Sequence, residues 1–384
     1  MASDDFGFGE DARMVRDLAR RFLAENLGVD TLHALVAGNA TAADAARTPP
    51  LAWDRDLWDR IVELGWTGLC IPENAGGVGM GRIALAALVE ETGRAALPAP
   101  LMATLFATQV LLEAPGEAAH ASLEEIARGR TAALAITNSR GSWDPAESDV
   151  RGHAAGLGTT LGGTASFVQG ARKADFLVVS ARTDDGIGLY RVAANAPGVA
   201  VHPDHILDLT RDQARVSFDH VEVDAAQCIA APGDGASVLA HAWPALLTLV
   251  AADLCGAAEW QLQTTAEYAR VRTQFERPIG FFQAVKHPIV NMMIEVDRAR
   301  SLVYAAAEAI DSKSDDALRL ARMAKAAASD AASFCSGRSV QLHGGIGFTW
   351  DSPVHIYFKR QKHGQFLFGD GIAQRAALAS QMAA

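Results

Sequence analysis

The densest group of side chains able to do chemistry lies at Arg270–Gly280, where Arg270, Arg272 and Arg277 crowd around Thr273, Gln274 and Phe275. Cations and polar donors beside an aromatic ring suit two settings. One is the last turn of a helix, where positive charge complements the macrodipole. The other is a diphosphate, which an arginine grips through paired N–H donors. A second group is Gly344-Gly345-Ile346-Gly347. Bare glycine lets the backbone approach a phosphate or ribose, and it equally stops a helix. The run fails as a dinucleotide fingerprint, because it follows a helical pattern and not a strand. Gly76-Gly77 reads as a loop between helices, with a ligand-facing turn as its rival. Cys70, Cys228, Cys255 and Cys335 are far apart and form no CxxC pair. They read as reduced, buried thiols, and no zinc cluster is expected.

Three blocks must position these groups. The chain has 384 residues, 49% hydrophobic and 21% charged, an ordinary globular composition that suggests two or three domains. Its net charge of −11 argues against nucleic-acid binding and against a polybasic membrane-surface role. Residues 1–130 read as helical, with helices over Ala12–Leu27, Trp58–Leu64 and Ile83–Arg94 and breaks at Ile71–Gly77 and Leu97–Pro100. Residues 131–232 carry short β-branched runs at Ala133–Thr137, Phe176–Ser180, Gly188–Val192 and Val216–Val223, which predict an antiparallel β domain. Residues 233–384 return to long helices: one starting near Pro244, one over Gln283–Asp311 with Val285, Ile289, Met292 and Val296 inward, and one over Ser314–Leu342. Long helices joined by short loops predict a four-helix bundle. The N-terminus lacks a basic, apolar signal pattern, and the longest apolar stretch, Ala242–Ala252, is short of the ~20 residues that span a bilayer. A soluble, cytoplasmic protein with no membrane insertion is expected.

The stretch Tyr268–His287, YARVRTQFERPIGFFQAVKH, closely resembles the signature of acyl-CoA dehydrogenases, and Gln341–Phe348, QLHGGIGF, resembles a second family motif. Ile71–Gly81 is similar to the family's N-terminal loop, and the order of the three blocks is the family's. The resemblance implies an α+β multidomain fold: an N-terminal helical domain, a middle antiparallel β domain and a C-terminal four-helix bundle. It also implies FAD held between the β domain and the bundle, and dimerisation through the bundle. Arg272, Gln274 and Phe275 match residues that hold the FAD diphosphate and adenosine side; Phe282 and Gln283 match a pair on the next helix. Gln341, Leu342, His343, Gly344 and Gly345 match a segment that contacts the FAD of a neighbouring subunit. On the flavin side, Thr137-Asn138-Ser139 stands where the family has Thr-Glu-Pro, and Phe167-Val168-Gln169 where it has Trp-Ile-Thr. Thr137 and Phe167 are therefore candidate flavin neighbours, and the threonine hydroxyl near N5 is lost.

The implied chemistry is α,β-desaturation of an acyl-CoA thioester, in which a carboxylate removes the α-proton and the β-hydride passes to the flavin. Counting back from Arg375, the family's base position is Phe368; its alternative position aligns with Leu246. Neither is a carboxylate. Asp370 and Asp253 are the nearest substitutes, with a structural acid as the competing reading of Asp253. Leu97–Pro100, Gly163–Val168 and Ala174–Phe176 resemble bacterial α2β2 acyl-CoA dehydrogenases acting on steroid side-chain thioesters, in which one subunit lacks the base. The leading expectation is thus a base-lacking subunit of a hetero-oligomer in fatty-acid or steroid side-chain β-oxidation, passing electrons to an electron-transfer flavoprotein or similar acceptor. A self-sufficient dehydrogenase using Asp370 or Asp253, an assembly partner without FAD, and a flavin monooxygenase are the alternatives.

Overall fold

The computed structural model describes residues 9–43, 53–156 and 158–383. The N-terminal helices are α1 (Glu10–Asn26), α2 (Val29–Ala43), α3 (Arg55–Glu63), α4 (Arg82–Arg94), α5 (Leu101–Glu113) and α6 (Glu117–Ala127). In α1 the buried Ala12, Val15, Ala19 and Leu23 recur every three or four residues, so one stripe faces inward. The Asp54 side chain caps α3 by accepting from the Leu57 amide. Helix α4 is buried all round from Ala84 to Gly93.

The strands are β1 (Ala132–Ala135), β2 (Val150–Ala155), β3 (Gly158–Gln169), β4 (Phe176–Thr183), β5 (Gly186–Ala193), β6 (Val199–Pro203), β7 (Gln213–Val223) and β8 (Cys228–Ala230). They form one sheet in the order β6-β7-β3-β2-β4-β5-β8, with β1 also on β4. Most pairs are antiparallel, as expected. β1, however, runs parallel to β4, and β2 meets β4 in parallel as well. The reason is connectivity: the β2–β3 hairpin lies between β1 and β4 in sequence, a return path long enough for parallel pairing.

The C-terminal helices are α7 (Gly235–Val271), α8 (Gln283–Asp311), α9 (Ala317–His343), α10 (Val354–Phe366) and α11 (Gly371–Ala383), with a two-stranded hairpin, β9 (Thr273–Gln274) and β10 (Arg277–Pro278), between α7 and α8. Pro244 does not start α7; it lies inside the helix, which runs on through it. At 37 residues α7 is long and apolar enough to cross a membrane by length and composition, contrary to the short stretch expected. Most of that surface is instead buried against α4, α5, α8 and α9. In α8, Met292 and Val296 are buried as expected, while Val285 and Ile289 are half-buried.

One hydrophobic core runs from α1 through α4, α5 and α7 to Tyr357 of α10; a second fills the sheet. Helices α4 and α7 touch backbone to backbone: a Cβ on Gly93 would overlap the Asp253 carbonyl, and one on Gly256 the Glu90 carbonyl. Arg300 of α8 closes this crossing, reaching Glu90 at 2.7 Å and Glu259 at 2.9 Å, while the Tyr304 hydroxyl donates to Glu90 at 2.7 Å. All four cysteines are free; Cys228 is half-buried and the other three are buried.

Candidate functional site

A cavity of about 340 Å³ opens between the sheet, α5 and the turn after α10. Its walls are mostly apolar: the rings of Phe106, Trp143, Phe167, Phe366 and Phe368, together with Leu134, Ile136 and Leu367. Local structure brings each one in. Phe167 sits in a β-bulge, where β3 gains a residue on β7 between Ala165 and Val168. Its backbone is left-handed, with φ +56°, and the ring stays partly exposed. Trp143 rides on the loop after β1, organised by Asn138, whose Oδ1 accepts from the Arg140 and Ser142 amides and whose Nδ2 donates to the Glu147 carbonyl. Thr137 lines the cavity, and its carbonyl accepts from the Ser166 amide.

Phe368 sits in the turn between α10 and α11, at φ +57°. Its ring meets Phe106 at 5.1 Å, Trp243 at 5.3 Å and Trp143 at 6.0 Å, edge to face. The turn is pinned from below by Lys325, whose Nζ donates to the Gln365 and Gly369 carbonyls, each at 2.9 Å, and to Ser329 Oγ at 3.0 Å. Burial pulls this amine down to about 7, against the raising influence of Asp370. The Gln374 amide donates to the Phe368 carbonyl at 2.7 Å.

The remaining wall is polar. His363 Nε2 lies 2.9 Å from Gln169 Oε1. Gln169 Nε2 donates to Gln213 Oε1 at 2.8 Å and to the Phe167 carbonyl at 3.2 Å, and Gln213 Nε2 donates to Asp204 Oδ2 at 2.8 Å. Gln169 and Gln213 are direct cross-strand neighbours. Burial pushes the His363 imidazole below its ordinary value, so it is neutral near pH 7.

Among the described residues no carboxylate lines this cavity. Phe368 and Leu246 are both buried apolar groups. The two substitute acids are engaged elsewhere. Asp370 Oδ1 accepts from the Ala373 amide at 2.9 Å and so caps α11. Asp253 is 2% exposed and lies between Arg211 and Arg360, each 2.6 Å away; Arg360 also donates to Thr210 Oγ1. Asp253 is therefore held in a buried ion-pair network. A carboxylate enclosed by two guanidinium groups is stabilised as the anion and is a poor proton acceptor.

The signature residues gather at the other end of the bundle. Tyr268 of α7 stacks on His343 of α9 with ring centres 4.4 Å apart, and Thr265 Oγ1 donates to Ser339 Oγ at 2.8 Å. These contacts join the C-terminal ends of α7 and α9, the ends from which Arg272 and Gly344 follow. Arg272, Gln274, Gln283, Gln341, Gly344 and Gly345 are exposed, Phe282 and Leu342 are half-buried, and His343 is buried with Nδ1 on the Ser339 carbonyl. Phe275 and Glu276 turn the hairpin with φ of +53° and +61°, and the Phe275 ring is 85% exposed. A bulky residue held left-handed with its ring in solvent is a strained arrangement that folding alone does not favour. A Cβ on Gly345 would meet no described atom within 4 Å, and its φ is not positive, so nothing among the described residues requires it to be bare. Gly344 does need glycine, at φ +66°. Among the described residues the Arg272 side chain has no partner. None of these residues lines the cavity, whereas Thr137 and Phe167 do. The two groups of candidates thus occupy separate places in one chain.

Motif reasoning did not single out Trp143, Trp243, Lys325 or His363. Lys325 had one signal, a lone lysine within a run of small residues on α9.

The family profile described as acyl-CoA dehydrogenase, N-terminal domain, matches residues 9–130, and that described as acyl-CoA dehydrogenase, C-terminal domain, matches residues 234–383. The chain is 34% identical over 335 residues to acyl-CoA dehydrogenase IpdE2 of Mycobacterium tuberculosis, covering 86% of this chain and 88% of that protein. Among solved structures it is similar to the ChsE4-ChsE5 complex of Mycobacterium tuberculosis, with TM-score 0.87, 28% identity and 99% of each chain covered. It is likewise similar to a variant of the Tcur3481-Tcur3483 steroid ACAD, with TM-score 0.86, 30% identity and 98% of each chain covered.

Proposed function

The chain belongs to the acyl-CoA dehydrogenase family of oxidoreductases, and on that premise we propose that it serves FAD-dependent α,β-dehydrogenation of an acyl-CoA thioester as the base-lacking subunit of a hetero-oligomer. The observation that carries this reading is the pair of buried apolar groups, Phe368 and Leu246, at the two base positions, with Asp253 and Asp370 both engaged in structural contacts. The resemblance of the chain to subunits of two-protein complexes supports it further.

The residues fit FAD. Arg272, Gln274, Phe275, Phe282 and Gln283 would take the diphosphate and adenosine side, and Gln341, Leu342, His343, Gly344 and Gly345 would lie along it. The unpartnered arginine, the exposed Phe275 ring and the bare Gly345 are what such contacts require. Thr137 and Phe167 would flank the ring system of a flavin at this chain's own cavity. FAD, when bound, supplies a hydride acceptor. This chain's residues supply binding, orientation and exclusion of water. Because the bundle-end residues do not reach the cavity of their own chain, a second subunit is needed to bring the two halves together. The acyl group is proposed to be of the fatty or steroid side-chain class, the electron acceptor an electron-transfer flavoprotein or similar protein, and the compartment the cytoplasm.

The test is the dehydrogenation rate with an artificial electron acceptor, for the chain alone and co-expressed with the product of a neighbouring reading frame. Loss of a general base costs about 10²–10⁴-fold. The chain alone should be slower by that factor, and Asp370→Asn should change neither rate. Full activity of the isolated chain, abolished by Asp370→Asn, would promote Asp370 to base and overturn the auxiliary role.

A further inference from the structure

We propose that Lys325 is the positioning residue of the cavity: it holds the α10–α11 turn, and with it the Phe368 ring, in the wall, and so sets the shape that the cavity presents. Phe368 and Gly369 are consecutive left-handed residues, at φ +57° and +88°. Glycine takes that region freely and phenylalanine does not, so the turn persists only where its surroundings hold it. The Gly369 amide donates to the Phe366 carbonyl at 3.1 Å, and Gln374 Nε2 to the Phe368 carbonyl at 2.7 Å. Both contacts lie within the α10–α11 segment and travel with it. Neither fixes where the turn stands against the rest of the cavity.

Lys325 supplies that fixed point from another element, α9. Its Nζ bridges the Gln365 and Gly369 carbonyls, one on each side of Phe368. Gln365 lies in the last turn of α10, where carbonyls have no partner within the helix and are free to accept. Ser329, one turn along α9, anchors the amine at 3.0 Å. Two other ties reach α9, Lys362 to Ser333 at 3.0 Å and Arg375 to Asp330 at 2.7 Å. Both run from side chain to side chain, and the second joins exposed groups that hold weakly. Among the described residues, Lys325 is the only side chain of α9 on the backbone of residues 365–369. It is fully buried and does not itself line the cavity. An amine there carries a desolvation cost that a methionine of similar length would avoid, and among the described residues no carboxylate forms an ion pair with it. The contacts that offset this cost are the two turn carbonyls. They survive in either protonation state, because the Ser329 hydroxyl can accept from the amine or donate to it. Phe368 meets Trp143 and Trp243 edge to face, so two tryptophans report directly on where the turn stands. The inference concerns the shape of the cavity whatever it binds, so it stands or falls apart from the dehydrogenase role.

The test is fluorine NMR of the full-length chain grown with 5-fluorotryptophan, its lines assigned by replacing each tryptophan singly with phenylalanine. Phe368→Leu removes the ring and gives the reference displacement of the Trp143 and Trp243 lines. Lys325→Met should displace the same two lines in the same direction and leave those of Trp53, Trp58 and Trp66, in the N-terminal block, unmoved. Ser329→Ala frees the amine on its α9 side and should give a smaller displacement of the same two lines; it decides the question if Lys325→Met fails to fold. A lysine that only stabilised the fold would lower the melting temperature without moving these lines. Unmoved Trp143 and Trp243 lines in a folded Lys325→Met protein therefore overturn the proposal, as they do in Ser329→Ala where that is the variant that folds. Displacement of all these lines alike would mean a general loosening, and overturns it too.

Discussion

Replacing Asp253→Asn separates a structural acid from a catalytic one. The carboxylate meets Arg211 and Arg360 at 2.6 Å each, in a site that is 2% exposed. An asparagine is neutral and has one acceptor oxygen, so both guanidinium groups lose this counter-charge and at least one loses its hydrogen bond as well. Breaking a buried pair by removing one partner costs about 3–5 kcal/mol, roughly a fifth or more of a stability of about 5–15 kcal/mol. Urea unfolding followed by circular dichroism should show that loss. The dehydrogenation rate of the assembled enzyme, per folded and FAD-containing protein, should not change. Acid titration gives a second check. Burial works against the charged form, but Arg211 and Arg360 outweigh it and hold the carboxyl below the ordinary value of 3.8. The unfolded chain therefore takes up this proton first as pH falls. The stability it contributes is complete above the unfolded value and drains away as pH falls through the lower, folded one. The gap between native and Asp253→Asn proteins should be constant near neutrality and close below about pH 4. An unchanged unfolding midpoint with abolished turnover would refute this reasoning and make Asp253 the base.

Arg272→Ala should weaken FAD retention by about 1.5–3 kcal/mol, the worth of a charge-assisted contact, read from the visible spectrum after dialysis; undiminished flavin would unseat Arg272 as the diphosphate contact. The methyl of Gly345→Ala would meet no described atom within 4 Å, so the melting temperature should stay put while flavin retention falls, and equal flavin content in both proteins would show that nothing approaches Gly345. Light scattering should find a dimer or tetramer, and a lone 40.5 kDa species that holds FAD tightly would exclude the shared site.

The long helices were legible because their apolar residues recur at helical spacing; in Gln283–Asp311 the buried stripe runs from Met292 to Ala309. Strand β3 was not, since its glycines and threonines show no alternation and two bulges break its register. The start of α7 was misread because Pro244 ordinarily favours a first turn, and tertiary burial carried the helix through it. At the site, contiguous motifs were legible and assembled features were not. Asp253 stands in plain view in the sequence, but its partners lie 42 and 107 residues away. His363 has no local pattern at all; its character comes from two glutamines placed by strand pairing.

The backbone contact at Gly93 and Gly256 bears on the order in which the protein can be made. Helix α4 has no face that suits water, because it is covered all round in the finished fold. Its cover on one side is α7, whose residues leave the ribosome more than a hundred residues later. The early helices are thus synthesised before their partner exists, and the β strands are made in the interval. N-terminal segments usually fold as they emerge; here the first segment is expected to wait, shielded by chaperones, until Gly256 arrives. A fragment ending near residue 130 would be held at that stage and should aggregate, although its boundary looks like a natural place to cut.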